Sequence, residues 1–293
     1  MKILISLFSI FVLTGCATST KDKEYSDITK DDFKTKKQIA YNQNKDKFKG
    51  IEDANYKVLG EESLSRFSDP GDLEARGVLD EITISCYERD FDKAFSLIKE
   101  KSAEYKRNPV FWNKVGTCFM LKGERRKALL FYNKALEFKA SYAPAFNNLG
   151  FMYKLENEDQ KALVAFTRAK KANEYAKTPL FNLGNLYLEY GLFSQAISTF
   201  TGLYNIEKRD VDVLNGLAVA YLMQGNSDRS LSFYKEINPD FLEKPEFGIN
   251  YSLALFRANK KKNAKDALSD IDKEKLGPWK AYYIQVASIV GVK

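Results

Sequence analysis

The sequence has 293 residues, and its 46 basic and 39 acidic side chains are interspersed, which leaves a formal net charge of +7. Such mixing is typical of a solvated helical surface rather than of a nucleic-acid site. There is no histidine, so the side chain that most often serves as general base and metal ligand is missing. The composition therefore favours a binding protein over an enzyme. We expect no cofactor, metal, nucleic-acid partner or small-molecule substrate.

The N-terminus carries the pattern of an export signal. Lys2 precedes an apolar run from Ile3 to Leu13, which is too short to cross a bilayer but has the length of a signal-peptide core. The run closes with Leu13–Cys16, which resembles the lipobox of bacterial lipoproteins; an ordinary signal peptide that ends in cysteine is the alternative. The resemblance implies a signal peptide over residues 1–15 and acyl chains on Cys16, which would anchor the protein to a membrane.

The residue after the cysteine bears on location. Ala17 stands where the enterobacterial sorting rule would read aspartate as an inner-membrane signal. The resemblance to lipoproteins therefore implies the outer membrane, on its periplasmic face. Residues 16–69 are rich in Lys, Asp, Ser, Thr and Asn with few large apolar side chains, a composition that predicts a flexible polar tether. Contact of its basic residues with the membrane surface is the alternative to a plain spacer.

A 34-residue period organises the rest of the chain. Leu149-Gly150 and Tyr153 recur as Leu183-Gly184 and Tyr187. A small residue in the second half of the motif recurs at six positions, five of them alanine and one serine: Ala94, Ala128, Ala162, Ala196, Ser230 and Ala264. The small residues indicate close contact between two antiparallel helices, and a Gly or Asn every 34 residues indicates the turn between them.

The period and the Leu-Gly, Tyr, Ala and Phe slots resemble the tetratricopeptide repeat. The resemblance implies an all-α fold, a superhelical solenoid of stacked helix pairs. We expect about six repeats over residues 70–278, with the first and last degenerate, and a capping helix over residues 279–293.

In this family the first helices line a concave groove that holds a peptide or helix of another protein. The positions that should face it lie one, five and eight or nine places after the large apolar residue that opens each motif, such as Trp112 or Phe146. They are Asn113, Thr117, Met120, Asn147, Phe151, Leu155, Phe181, Asn185, Leu188, Asn215, Val219, Leu222, Ile249, Leu253 and Phe256. These mostly apolar and amide side chains favour an amphipathic helix or an extended apolar segment as ligand. The alternative is that several of them pack within the array, and for Asn148 and Asn182, one place along, the repeat consensus is the better explanation.

Two groups of reactive side chains have structural interpretations. Cys86 and Cys118 occupy different slots of neighbouring repeats, so we expect two buried free thiols rather than a disulfide. Carboxylates lie at predicted turns between helices, where acidic side chains cap helix N-termini. They are Glu158, Asp159, Asp210 and Asp212.

These features predict a non-enzymatic scaffold for protein interactions, anchored to the outer membrane. The size, lipobox and repeat array resemble the lipoproteins that serve tight-adherence (Flp) and type IV pilus assembly. That resemblance implies partners among envelope proteins. An adaptor for cell-wall hydrolases or for outer-membrane protein assembly is the alternative.

Overall fold

The computed structural model describes Ala75 and residues 77–292. The predicted signal peptide (1–15), the lipidation site Cys16 and the tether (16–69) lie outside the described residues. Within them the chain forms fourteen α-helices, two short 3-10 helices and no strand. The predicted all-α class is confirmed.

The described chain divides into two compact units, which adjoin in sequence between Asn182 and Leu183. We call them the N-terminal and C-terminal units. The first six helices, all before the division, are α1 (Val78–Tyr87), α2 (Phe91–Lys101), α3 (Pro109–Leu121), α4 (Arg125–Phe138), α5 (Ala143–Leu155) and α6 (Asp159–Ala172). The helix α7 (Lys177–Glu189) spans the division.

The C-terminal unit continues the alternation of first and second helices. Its helices after α7 are α8 (Phe193–Ile206), α9 (Val211–Met223), α10 (Ser227–Tyr234), α11 (Pro239–Leu242), α12 (Pro245–Arg257), α13 (Lys261–Ser269) and α14 (Lys280–Val290). The sequence did not predict the short α10, which stops at Tyr234 and is followed by the single turn of α11. The 3-10 helices Lys273–Lys275 and Gly277–Trp279 lead into α14, which lies within the predicted capping segment. No helix among residues 77–292 has the length and apolar character needed to cross a membrane.

The turn inside each pair takes the left-handed conformation that the repeat pattern predicts. The residues in this slot with positive φ are Gly123, Asn157, Gly191, Gly225 and Asn259. Glycine and asparagine tolerate this conformation because their side chains do not clash with the backbone there. In the degenerate first repeat the slot is filled by Arg89, with φ 64°. The register therefore imposes the turn even where the residue type disfavours it.

Helix starts are capped in part as expected. The Asp210 carboxylate accepts hydrogen bonds from the backbone N–H groups of Asp212 and Val213, at 3.0 and 3.1 Å, so its capping role is confirmed. The prediction is wrong for Glu158, which makes no capping hydrogen bond. Its carboxylate instead pairs with Lys161, 2.7 Å away, one turn further along.

The glycines of the first helices lie against aromatic rings of the second helices, as close packing of paired helices requires. A Cβ atom added to Gly116 would lie 2.6 Å from two ring carbons of Tyr132, and one added to Gly150 would lie 2.6 Å from two ring carbons of Phe166. Carbon atoms do not approach so closely without displacement. Glycine is thus required at these two positions for contact between the first and second helices.

The expectation of two free thiols is wrong, because Cys86 and Cys118 form a disulfide. Their Cα atoms are 5.1 Å apart, within the range that a disulfide spans. Different repeat slots do not keep the two cysteines apart, since α1 and α3 are successive first helices that pack side by side. Cys86 near the end of α1 meets Cys118 of α3, and both are fully buried. The bond ties the degenerate first pair to the next repeat.

Candidate protein-binding site

The predicted groove asparagines of the N-terminal unit are bonded within the array. Asn148 donates from Nδ2 to Oδ1 of Asn113 at 3.1 Å, and Asn182 donates to Oδ1 of Asn147 at 2.8 Å. Asn113 and Asn147 are completely buried. Each asparagine pair joins one first helix to the next, so this ladder stabilises the stack.

Thr117 belongs to the same internal network. Its hydroxyl lies 3.3 Å from the hydroxyl of Tyr132 and 3.5 Å from Nδ2 of Asn148. A buried polar group is stable only when such partners are present. The network therefore accounts for the burial of Thr117, at 1% exposure.

The C-terminal unit has a second buried polar network. Tyr234 donates its hydroxyl to Oδ1 of Asn215 at 3.1 Å, and Tyr282 donates to Oδ1 of Asn250 at 2.9 Å. Nδ2 of Asn250 donates to the Glu246 carbonyl oxygen at 3.2 Å, and Nδ2 of Asn215 lies 3.5 Å from it. Burial, with a smaller contribution from Tyr282, raises the pKa of Tyr234 well above its ordinary value. Asn215 thus has an internal role as well.

The apolar members of the predicted groove are mostly inaccessible. The buried ones are Met120, Phe151, Phe181, Leu188, Val219, Leu222, Ile249 and Leu253, together with the amide of Asn185. Leu155 and Phe256 are half-buried. In each unit, the predicted position that stays partly accessible lies near the end of a first helix, Leu155 in α5 and Phe256 in α12.

Charged groups adjoin Leu155 at the end of α5. The Lys154 ammonium lies 3.0 Å from Oδ1 of Asp159, the first residue of α6. The Lys154 side chain keeps 29% of its surface exposed. The half-buried end of α5 thus presents an apolar side chain beside an ion pair.

Sequence reasoning missed a buried lysine. Lys114 of α3 occupies the slot of Asn148, one repeat earlier, and is 2% exposed. Its ammonium lies 2.7 Å from Oγ1 of Thr83 and 3.8 Å from Oδ1 of Asp80, both in α1. A buried ammonium needs such partners because leaving water is costly for a charge. The only signal in the sequence was a charged residue in a slot that holds asparagine in the next two repeats.

The described residues bond and pack mainly with one another. No group of three or more His, Cys, Asp or Glu side chains within residues 77–292 is placed to hold a metal ion. The polar side chains of the first helices bond to each other, and the apolar ones fill the spaces between helices.

Comparisons with known proteins support the fold. No family model matches the chain, and no curated protein matches it in sequence. Several solved structures resemble it in fold. YrrB, described as a TPR protein with an unusual peptide-binding site, is 18% identical, with a TM-score of 0.52 over 66% of this chain and 94% of YrrB. PilW, described as a widely conserved type IV pilus biogenesis factor, is 19% identical, with a TM-score of 0.52 over 66% of this chain and 93% of PilW.

A tetratricopeptide repeat protein from Parabacteroides merdae is 17% identical, with a TM-score of 0.53 over 73% of this chain and 90% of that protein. Identities this low establish the fold alone. The fold is that of tetratricopeptide-repeat proteins, as the repeat slots predicted. One of the solved structures that share it is a pilus biogenesis factor.

Proposed function

We propose that this protein is a lipid-anchored scaffold on the periplasmic face of the outer membrane, where it binds other envelope proteins and serves assembly of a pilus or related machine. The observation that carries the proposal is the stack of repeat helix pairs, which has the fold of a peptide-binding protein and of a type IV pilus biogenesis factor. The resemblance of Leu13–Cys16 to a lipobox supports the membrane attachment. No catalytic step is needed for this role.

The disulfide supports a location outside the cytoplasm. Disulfides persist in oxidising compartments such as the periplasm and are rare in reducing ones. Cys86 and Cys118 are fully buried and joined, as expected for a structural bond in an exported protein. The bond also stabilises the end of the array next to the predicted tether.

Labelling in cells tests the anchor. With radioactive palmitate, the wild-type chain should become labelled and fractionate with outer membranes. The variant Cys16→Ala should remain unlabelled, and Thr18→Ser, which leaves the lipobox and the other two cysteines in place, serves as the control. Label retained in Cys16→Ala, or an unlabelled wild-type chain, would contradict lipidation.

We further propose that a partner binds at the half-buried end of α5, and site-specific crosslinking tests this face. A photo-crosslinking amino acid at Leu155, which is half-buried at the end of α5, should capture a partner in intact cells. The matched control is the same amino acid at Lys171, an exposed residue of α6 in the same helix pair. Equal capture at both positions, or none at Leu155, would remove the assignment of this face.

The identity of the captured protein tests the assembly role. A pilus or secretin component should be recovered, and deletion of the gene should reduce surface pili and secretin multimers. Recovery of a cell-wall hydrolase or an outer-membrane insertion factor would assign the scaffold to a different machine. Normal pili and multimers in the deletion strain would contradict the pilus proposal.

A further inference from the structure

A cavity of about 310 Å³ lies in the C-terminal unit between the second helices α8 and α10, with the first helix α9 as its floor. We call it the α8–α10 furrow. Its walls include Tyr221 and Phe233, whose ring centroids are 5.7 Å apart with an interplanar angle of 15°. Tyr204 meets Phe233 edge to face at 5.9 Å. The volume is at the lower end for a binding pocket and suits one side chain.

A fixed cation lies at the rim. The guanidinium carbon of Arg229 is 5.2 Å from the ring centroid of Phe233 and 5.8 Å from that of Tyr221. Stacking on aromatic rings orients a guanidinium and leaves its N–H edge available for a carboxylate. Arg229 is exposed and forms no ion pair with the residues that the structure describes. Its position over the two rings therefore favours pairing with an anion.

The acidic residue of the rim is already engaged. Glu236 accepts a hydrogen bond from the Tyr204 hydroxyl at 2.8 Å. This bond, with a further contribution from burial, raises the pKa of Tyr204. Glu236 keeps its negative charge in this bond, but its carboxylate is held by Tyr204, whereas the exposed guanidinium of Arg229 can reach a ligand at the rim. The inner walls favour an apolar or aromatic group.

The equivalent place three repeats earlier shows what a filled furrow looks like. Phe119 and Phe131 occupy the slots of Tyr221 and Phe233, and their ring centroids are 5.2 Å apart. Phe131 is covered by Trp112, with centroids 5.5 Å apart at an angle of 3°. Lys127, in the slot of Arg229, is paired with Glu124. The protein thus covers this aromatic stack with its own side chains and neutralises its own cation.

We propose that the α8–α10 furrow is a second protein-binding site, which takes a peptide segment with an aromatic or large apolar side chain next to an acidic residue. The apolar side chain enters the cavity against Tyr221 and Phe233, and the carboxylate pairs with Arg229. The exposed amide of Asn205, which lines the same cavity, is placed to bond the peptide backbone. The inference rests on the proposed scaffold function only in taking the ligand to be a protein segment.

Two blocked peptides test the site on the purified full chain. The probes are acetyl-Gly-Phe-Glu-Gly-amide and acetyl-Gly-Phe-Lys-Gly-amide, and binding is measured by NMR titration. The acidic peptide should bind more tightly, by up to about fivefold, because Arg229 is exposed and an exposed ion pair contributes about that factor at most. Arg229→Gln should abolish this preference, and Arg229→Glu should reverse it.

The chain offers a matched control. Lys127→Gln removes the cation from the equivalent slot of the N-terminal unit and should leave both affinities unchanged. Circular dichroism checks that the variants fold. Because Arg229 is exposed, its substitution should leave the fold intact, and a variant that does unfold is recognised by its spectrum. Equal binding of the two peptides, no binding of either, or the same effect from Lys127→Gln would overturn the proposal.

The crosslinking at Leu155 distinguishes failure of the scaffold proposal from failure of the furrow proposal. A captured partner at Leu155 with no peptide preference at Arg229 would leave the scaffold function standing and remove only this site. A peptide preference that depends on Arg229, with no capture at Leu155, would keep the furrow and remove the face on α5.

Discussion

The two units use the same repeat slots but meet the packing requirement differently. In the N-terminal unit each glycine meets the ring of its own pair, Gly150 against Phe166. In the C-terminal unit one ring serves two glycines, because Cβ atoms added to Gly184 and Gly216 would lie 2.7 and 2.8 Å from atoms of Phe200. The repeat therefore demands a small residue opposite a ring, and the surrounding helices decide which glycine meets which ring.

The units also secure their terminal helices by different chemistry. The first pair of the N-terminal unit is tied by the disulfide between Cys86 and Cys118. The last helix of the C-terminal unit is joined to α12 by the hydrogen bond from Tyr282 to Asn250 and by apolar packing. A degenerate repeat that lacks the Leu-Gly slot thus gains a covalent link, whereas a terminal helix with well-placed tyrosine uses polar contacts.

Removal of the disulfide should produce the largest change. The cysteines are 32 positions apart, for which the chain-entropy model gives about 3 to 4 kcal/mol of stabilisation. Cys86→Ser with Cys118→Ser should lower the unfolding free energy by that amount, measured by urea denaturation. Reductant should have the same effect on the wild-type chain and none on the double variant. A reductant-insensitive wild type in which both Cys86 and Cys118 titrate as thiols after denaturation would contradict the bond.

Substitution at Gly150 should have the next largest effect. Gly150→Ala places a methyl group against Phe166, and overpacking of this kind costs about 1 to 3 kcal/mol. Gly202→Ala is the matched control in α8, since nothing lies within 4 Å of the added Cβ atom there. That variant should gain about 0.5 to 1 kcal/mol through helix propensity. Thermal melting that shifts in the same direction for both variants would refute the packing contrast.

The buried tyrosine network gives a pH test confined to the C-terminal unit. Tyr234 has a pKa raised above its ordinary 10.0 by burial, so the folded chain holds this proton more strongly than the unfolded chain. The associated stability is present below pH 10 and is lost as the pH rises further. Tyr234→Phe should cost about 1 to 2 kcal/mol at pH 7, because Asn215 loses a partner.

Urea denaturation of both chains from neutral to alkaline pH measures this effect. The wild type should lose its advantage over Tyr234→Phe as the pH rises above 10. A constant difference between the two chains across this range would show that Tyr234 does not carry the effect.

The shared ring should give the smallest but most specific effect. Gly184→Ala and Gly216→Ala both disturb Phe200, so their effects on unfolding free energy should fail to add by about 0.5 kcal/mol or more. Gly116→Ala and Gly150→Ala act on separate rings, so their effects on the unfolding free energy should be closer to additive. Equal coupling in the two pairs, measured by double-mutant cycles, would remove the distinction between the units.

The repeat slots allowed much of the fold to be predicted from the sequence. The turn at Asn157 and the cap at Asp210 depend on local backbone preferences, so residue type and spacing were enough. The candidate site was harder. Asn147 and Phe151 occupy slots typical of a binding groove, yet Asn147 is bonded to the next first helix and Phe151 is buried. Spacing predicts which side of a helix a residue lies on, but it does not predict how much of that side its neighbours cover.

The sequence by itself determined the helix pairs, their 34-residue register and the left-handed turns, because each depends on residues a few positions apart. Only the tertiary structure decided the disulfide, the partners of Lys114 and the difference between the filled aromatic stack at Phe119 and the α8–α10 furrow. These features depend on which side chains from separate helices come within a few ångströms of each other. Helix crossing and the sizes of neighbouring side chains set those distances, and a repeat pattern leaves them open.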